Sequence, residues 1–145
     1  LQKPKDLTAI AEAHHVPYVA QTTLFNATDV AEKVKRAVET PGPAFVNILV
    51  PCVLFWGIDP GLQQDICKLA ADTRFWPVYE VVDGVWKLSC KPKKRVPIEE
   101  FLKPQARFRH LFRGEASKAL LEQIQADVDA DWQKILDRCG ETWEA

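Results

Sequence analysis

Cys52 is the residue in this chain whose setting invites chemistry. It follows the run Phe45-Val46-Asn47-Ile48-Leu49-Val50-Pro51 and precedes Val53-Leu54-Phe55-Trp56-Gly57-Ile58-Asp59-Pro60-Gly61. The first run is rich in β-branched and apolar residues, which suits a strand buried on both faces, as in a parallel sheet. Pro51 cannot donate to a ladder and ends that strand. Cys52 is thereby placed at the strand's carboxyl end, the edge where open parallel sheets bind ligands and cofactors. From the residues alone two readings stand open: a small packed thiol, or a metal or cluster ligand. The other cysteines are Cys67, Cys90 and Cys139. Their spacing contains no Cys-x-x-Cys and no cysteine–histidine zinc pattern. Cys67 and Cys139 fall on or beside helical apolar stripes, and Cys90 is expected in a loop. His14 and His15 sit where a helix ends, where a cation suits the helix dipole.

The second chemically marked stretch is Lys91-Pro92-Lys93-Lys94-Arg95-Val96-Pro97. Its prolines predict an extended, exposed arm. Lys93, Lys94 and Arg95 are either a solvated linker or a docking strip for an acidic partner or neighbouring subunit. Arg107, Arg109, His110 and Arg113 are expected to extend that basic surface.

The elements that position these residues follow from local signals. Asp6 to His15 reads as a helix with Leu7, Ile10, Ala11 and His14 at helical spacing, ended before Pro17. Tyr18-Val19-Ala20-Gln21 is a short strand, with Gln21-Thr22-Thr23 at its carboxyl end. Asp29 and Glu32 form a capping pattern, and Val30, Val34, Ala37 and Val38 mark the buried face of the next helix. Glu32, Lys33, Lys35 and Arg36 are placed outside. Asp59-Pro60 is an N-cap with proline at the first helical position, opening a helix to Thr73 whose stripe is Leu62, Ile66, Leu69 and Ala70. Val78 to Val82 and Val85 to Ser89 flank Asp83-Gly84, a strong hairpin signal. Pro97 to Arg113 is one helix or two short ones. Glu115 to Cys139 is the longest helix, with Leu121, Ile124, Val128, Trp132, Ile135 and Cys139 along one face, a core stripe or a subunit seam. Helix and strand alternation predicts an α/β fold with a parallel sheet. The organisation read from this pattern is an α/β part over residues 1–74, an appended β-hairpin at 75–90, and the basic arm with the C-terminal helices at 91–145.

The 145 residues are 47% hydrophobic and 27% charged, the balance of a globular chain. A net charge of −1 gives no global drive toward nucleic acid or a membrane surface. No apolar run approaches the roughly 20 residues that span a bilayer, and the start, Leu1-Gln2-Lys3-Pro4-Lys5, has no apolar signal core. Cysteine usage favours a reducing, cytoplasmic setting. The chain contains no methionine and is read as a fragment, a processed product or a natural split half.

From Lys5 to its end the chain resembles the carboxyl-terminal half of a 2-oxoacid:ferredoxin oxidoreductase β subunit of the pyruvate synthase type. The residues that carry the resemblance are Asp6-Leu7-Thr8-Ala9-Ile10-Ala11, Val16-Pro17-Tyr18-Val19-Ala20-Gln21 and Gly42-Pro43-Ala44-Phe45-Val46. Pro51-Cys52 with Trp56-Gly57, Trp76-Pro77-Val78-Tyr79-Glu80 and Lys91-Pro92-Lys93-Lys94-Arg95 complete it. The resemblance implies half of a thiamine-diphosphate-binding-type parallel sheet. It implies an enzyme that decarboxylates a pyruvate-like 2-oxoacid on thiamine diphosphate with magnesium. Electrons would pass through a 4Fe-4S cluster to ferredoxin and the acyl group to coenzyme A. Cys52 matches the family's cluster ligand after Pro. The family's Gly-Asp-Gly magnesium motif and paired cysteines have no counterpart here, so the chain alone is expected to be inactive and to need the upstream half and other subunits. Val53-Leu54-Phe55 is bulkier than the family's proline and small residues at that place. The alternatives are a non-catalytic α/β partner-binding module, or half of a cluster-free thiamine-diphosphate decarboxylase.

Overall fold

The computed structural model describes residues 5–144. The opening residues 1–4, read above for a leader, lie outside it, as does Ala145. A four-stranded sheet organises the chain, in the order β2-β1-β3-β4. The strands are β1 (Tyr18–Thr23), β2 (Ala44–Leu49), β3 (Val78–Val82) and β4 (Val85–Cys90). β1 and β2 run parallel, Tyr18 opposite Ala44 through Thr23 opposite Leu49. β3 pairs antiparallel with β1, and β4 antiparallel with β3. The expected parallel sheet is thus corrected to a mixed sheet with one parallel pair. The hairpin supplies half the strands, and it lies against β1 rather than beyond β2.

That placement corrects a second expectation. β2 was read as buried on both faces, yet it is the sheet's edge and its residues are only half-buried or exposed. All six residues of β1 are buried instead, because it lies between β2 and β3 with helices above and below. Successive side chains of a strand face opposite ways. Gln21 meets α1 (Leu7–Ala13) through Thr8, and Thr22 meets α2 (Ala27–Glu39) through Asp29. The two helices therefore cover opposite faces of β1.

Both helices bury faces other than those expected. In α1 Thr8 is buried, while Leu7 and Ile10 stand exposed. In α2 the cap is Asn26, whose side chain accepts from the Asp29 N–H at 3.2 Å, three residues before the pattern read from the sequence. Lys33, placed outside by its charge, is 2% exposed, whereas Val38 is 82% exposed. α2 packs mainly on β1 and β2, and the polar atoms beneath it, Asp29 Oδ2 and the Gln21 carbonyl, select Lys33 over Val34 and Val38.

The helical half matches its local signals. The Asp59 carboxylate accepts from the Gly61 N–H at 2.7 Å, Pro60–Leu62 forms a 3₁₀ turn, and α4 (Gln63–Asp72) follows. Ile66, Cys67 and Ala70 are buried as read, but Leu62 is exposed. Asp83 and Gly84 both take positive φ, 48° and 80°, as a two-residue hairpin turn requires. Cys90, expected in a loop, closes β4 opposite Val78. Two short helical pieces, α5 (Ile98–Leu102) and a 3₁₀ helix at Ala106–Phe112, precede α6 (Glu115–Cys139).

α6 unites two cores. Leu121 and Val128 pack with Ile58, Ile66, Ile98 and Phe101 from the helical half. One end further on, Ile135 packs with Val19, Tyr79 and Val81 of the sheet. The stripe read as core or seam is core within this chain.

Candidate functional site

The site is built around the turn that follows β2. Leu49 ends the strand, Pro51 is buried, and Cys52 becomes the N-cap of a one-turn helix, α3 (Val53–Trp56). The Phe55 N–H donates to Cys52 Sγ at 3.4 Å, and the Trp56 N–H to the Cys52 carbonyl at 2.9 Å. Gly57 closes the turn in the left-handed region, φ 61°. Of the four cysteines Cys52 is the exposed one. Cys67 is buried, and burial pushes the half-buried Cys90 and Cys139 thiols up, away from thiolate.

Beneath Cys52 the carboxyl end of the parallel pair is closed by internal hydrogen bonds. Thr8 Oγ1 donates to Gln21 Oε1 at 2.7 Å, and Asn47 Nδ2 donates to Thr8 Oγ1 at 3.0 Å. Gln21 Nε2 donates to the Pro77 carbonyl at 3.0 Å, and Thr23 Oγ1 to the Leu49 carbonyl at 3.0 Å. Trp76 Nε1 donates to the Thr22 carbonyl at 2.8 Å. Gln21, Thr22 and Thr23 lie on the Cys52 edge, as expected, but each is already bonded: Gln21 to Thr8 and Pro77, Thr22 to Asp29 and Trp76, and Thr23 to Leu49.

Behind the turn stands a platform that the sequence did not reveal. The Ala106 N–H donates to the Gly57 carbonyl at 3.2 Å. The Arg107 guanidinium lies 3.8 Å over the Trp56 ring and 4.5 Å over Phe108. Arg107 was expected on an outward basic surface. It is instead half-buried on these rings, and burial pushes its pKa down. Arg109 and Arg113 are exposed, as read. Nothing local marks Arg107 for this role, because its partner lies 51 positions away in the chain. Gly57 is required by the same contact: a Cβ there would stand 2.7 Å from the Ala106 Cβ. Gly57→Ala is expected to destabilise by about 1–3 kcal/mol, from the left-handed backbone plus the clash. Ala106→Gly in the same chain should relieve the clash and leave the backbone cost. Thermal unfolding of the two variants checks this, and equal stability to the parent would refute it.

The basic arm is clasped rather than free. Lys93, Lys94 and Arg95 are exposed, but Pro92 is buried. Trp143 Nε1 donates to the Pro92 carbonyl at 2.8 Å, and Lys91 pairs with Glu141 and donates to the Thr142 carbonyl. Arg95 lies 5.2 Å over the Trp143 ring, whose surroundings also include the buried Arg74 guanidinium at 4.8 Å. The arm's bonds run to Arg74 and residues 141–143, whereas those of the Cys52 turn run to Gln63 and residues 101–107. The structure does not bring the two together.

A further polar seam lies under α2. Lys33 Nζ donates to Asp29 Oδ2 at 2.8 Å and to the Gln21 carbonyl at 3.2 Å, and Thr22 Oγ1 donates to Asp29 Oδ2 at 2.5 Å. Arg36 pairs with Glu80, which also accepts from the Tyr18 hydroxyl at 3.0 Å. Asp29, Lys33, Arg36 and Glu80 line a cleft of about 290 Å³ between α2 and the hairpin. Four of its charged groups pair with one another, Lys33 with Asp29 and Arg36 with Glu80, and Glu32 and Lys87 also line it. No group of three or more metal-ligating side chains occurs among the described residues.

The described residues form an α/β unit that presents one exposed cysteine at the end of a parallel strand pair. The chain is homologous to PorB subunits of pyruvate synthase over about nine-tenths of its length. It is 38% identical over 136 residues to pyruvate synthase subunit PorB of Thermotoga maritima, a match covering 94% of this chain and 42% of that protein. It is 41% identical over 128 residues to PorB of Methanosarcina barkeri, covering 88% and 43%. It is 33% identical over 133 residues to ketoisovalerate oxidoreductase subunit VorB of Pyrococcus horikoshii, covering 90% and 41%. The chain spans less than half the length of these curated relatives. No protein-family model matches it.

Proposed function

We propose that this chain is the carboxyl-terminal half of a PorB-type β subunit, working within a 2-oxoacid:ferredoxin oxidoreductase that takes a pyruvate-like substrate. The observation that carries the reading is the homology to PorB over about nine-tenths of the chain. Cys52 supports it from the structure, as an accessible thiol at the carboxyl end of a parallel strand pair. In this reading residues 1–74 belong to the thiamine-diphosphate-binding α/β domain, 75–90 form its hairpin, and 91–145 form the arm and closing helices. The setting is cytoplasmic, and among the described residues no helix is long and apolar enough to cross a membrane.

Cys52 fits a cluster ligand by its donor chemistry. The residue is exposed and its sulfur receives one backbone N–H, which leaves it accessible as a cluster donor. It would hold one iron of a 4Fe-4S cluster whose other ligands come from outside this chain. When bound, that cluster supplies one-electron transfer, and thiamine diphosphate with magnesium supplies the carbanion chemistry of decarboxylation. The contribution of this chain is to orient the Cys52 thiolate on a short, backbone-capped turn. The apolar Val53, Leu54 and Phe55 beside it lower the local polarity, which tunes a cluster's potential through its dielectric surroundings.

The test is the assembled enzyme purified without oxygen. It should reduce ferredoxin with pyruvate or a branched 2-oxoacid in a coenzyme A-dependent way. The remaining half of the subunit should contain a Gly-Asp-Gly motif and a Cys-x-x-Cys. The motif without the cysteines would support a cluster-free decarboxylase, and neither would support a binding module.

Lys93, Lys94 and Arg95 are assigned to docking of ferredoxin or a companion subunit. Lys93→Glu with Lys94→Glu should slow ferredoxin reduction several-fold at low salt, with the difference shrinking as salt rises. Unchanged reduction and unchanged assembly would return the arm to a solvated connector. Arg95→Glu should additionally loosen the Trp143 clasp.

A further inference from the structure

We propose that Arg107 is the positioning residue of the Cys52 turn, clamping Trp56 from behind so that the thiolate is held in one place. The proposal rests on the reading of Cys52 as a cluster ligand and goes beyond it.

The outer side of the turn has no support of its own. Leu54 is 91% exposed and Phe55 81%. α3 is a single turn, too short to be stable by its own hydrogen bonds. Its attachment to the body is therefore on the inner side, through Val53, Trp56 and Gly57. Trp56 meets Phe101 edge-on at 6.3 Å and carries the Arg107 guanidinium on its face at 3.8 Å. Arg107 is itself fixed: its Nε and Nη2 both donate to Gln105 Oε1, at 2.9 and 2.7 Å. Gln105 is fully buried and donates from Nε2 to the Phe101 carbonyl at 2.5 Å.

Two features mark this as a positioning device rather than an ordinary surface arginine. Among the described residues no carboxylate pairs with Arg107, so its charge is spent on the rings and on one amide oxygen. The fork onto Gln105 and the flat stack on Trp56 also need the planar guanidinium, which lysine cannot reproduce. A cation over tryptophan is strongest when partly withdrawn from water, which is the condition here.

The experiment uses the assembled, cluster-loaded enzyme with Arg107→Met and Arg107→Lys. Amide hydrogen exchange across residues 55–58 should accelerate about tenfold in both variants, because the local opening that exposes these amides is no longer opposed by the clamp. Exchange in β1 and β3 should stay unchanged. The paramagnetic resonance spectrum of the reduced cluster should change its g-values or broaden in both variants. Exchange at 55–58 that stays at the parent rate overturns the clamp. Faster exchange with an unchanged spectrum overturns the link from turn to cluster. Iron content of Cys52→Ala then tells whether Cys52 is a ligand at all, so the two readings fail separately. Restoration of the parent spectrum by Arg107→Lys would also overturn the proposal, since charge alone would suffice.

Discussion

Cys52→Ala in the assembled enzyme is expected to lose cluster iron and with it ferredoxin reduction, while the sheet stays folded. The fold should survive because little leans on this side chain. Its sulfur is exposed and receives one long N–H contact, from Phe55 at 3.4 Å. Loss of such a cap costs about 1 kcal/mol, well inside the stability of an ordinary domain. Loss of a thiolate from a four-cysteine cluster removes one of its anchors outright. The three other cysteines supply the contrast. Cys67→Ala empties a small volume in a packed helix face, and Cys90→Ala and Cys139→Ala touch half-buried thiols. All three should keep full iron content, whatever they cost in stability. Iron analysis and paramagnetic resonance on the four variants decide the matter. Unchanged iron in Cys52→Ala would return Cys52 to a surface thiol.

Asp29→Ala should be among the most damaging single changes in the sheet region, at about 3–5 kcal/mol, the cost of leaving a buried charge without its partner. Lys33 is 2% exposed, and its ammonium has two acceptors, Asp29 Oδ2 and the Gln21 carbonyl. Without the carboxylate, one carbonyl remains to a charge sealed against β1, and Thr22 Oγ1 loses its acceptor. Lys33→Met should be far milder. It removes the buried charge and leaves Asp29, whose side chain is 15% exposed and retains Thr22. The double variant Asp29→Ala with Lys33→Met should therefore be more stable than Asp29→Ala alone, a clear departure from additivity.

The pH dependence follows from the same burial. Withdrawal from water holds Lys33 below its ordinary value of 10.5 even with Asp29 present. Without Asp29 it should fall further. Between the depressed folded value and 10.5 the unfolded chain then binds more protons than the folded one, so stability rises with pH. The deficit of Asp29→Ala should shrink as pH is raised toward 10.5. Urea unfolding of the three variants across neutral and alkaline pH checks both points, and strict additivity with a flat pH profile would refute them.

The sequence by itself determined those features whose causes lie within a few residues. Asp59-Pro60 opens its helix because a carboxylate and a fixed φ act on the very next amides. Asp83-Gly84 closes the hairpin because both residues tolerate positive φ. Leu121, Val128, Trp132 and Ile135 predict the buried face of α6 because a helix repeats on itself. The Pro51-Cys52 step places the thiol at a strand end by the same local logic.

Only the tertiary structure decided which neighbour each element takes. A run such as Phe45 to Val50 has the composition of a central strand, but the hairpin claimed the free side of β1 and left β2 at the edge. Lys33 turned inward because Asp29 and the Gln21 carbonyl met it there, at a position where charge alone predicted solvent. The basic arm lost its freedom to Trp143, and Arg107 left the surface for Trp56, each through partners about fifty residues distant. Polar and cationic side chains are buried or exposed according to what they pair with. Those partners are chosen by packing across the chain, which a local pattern does not record.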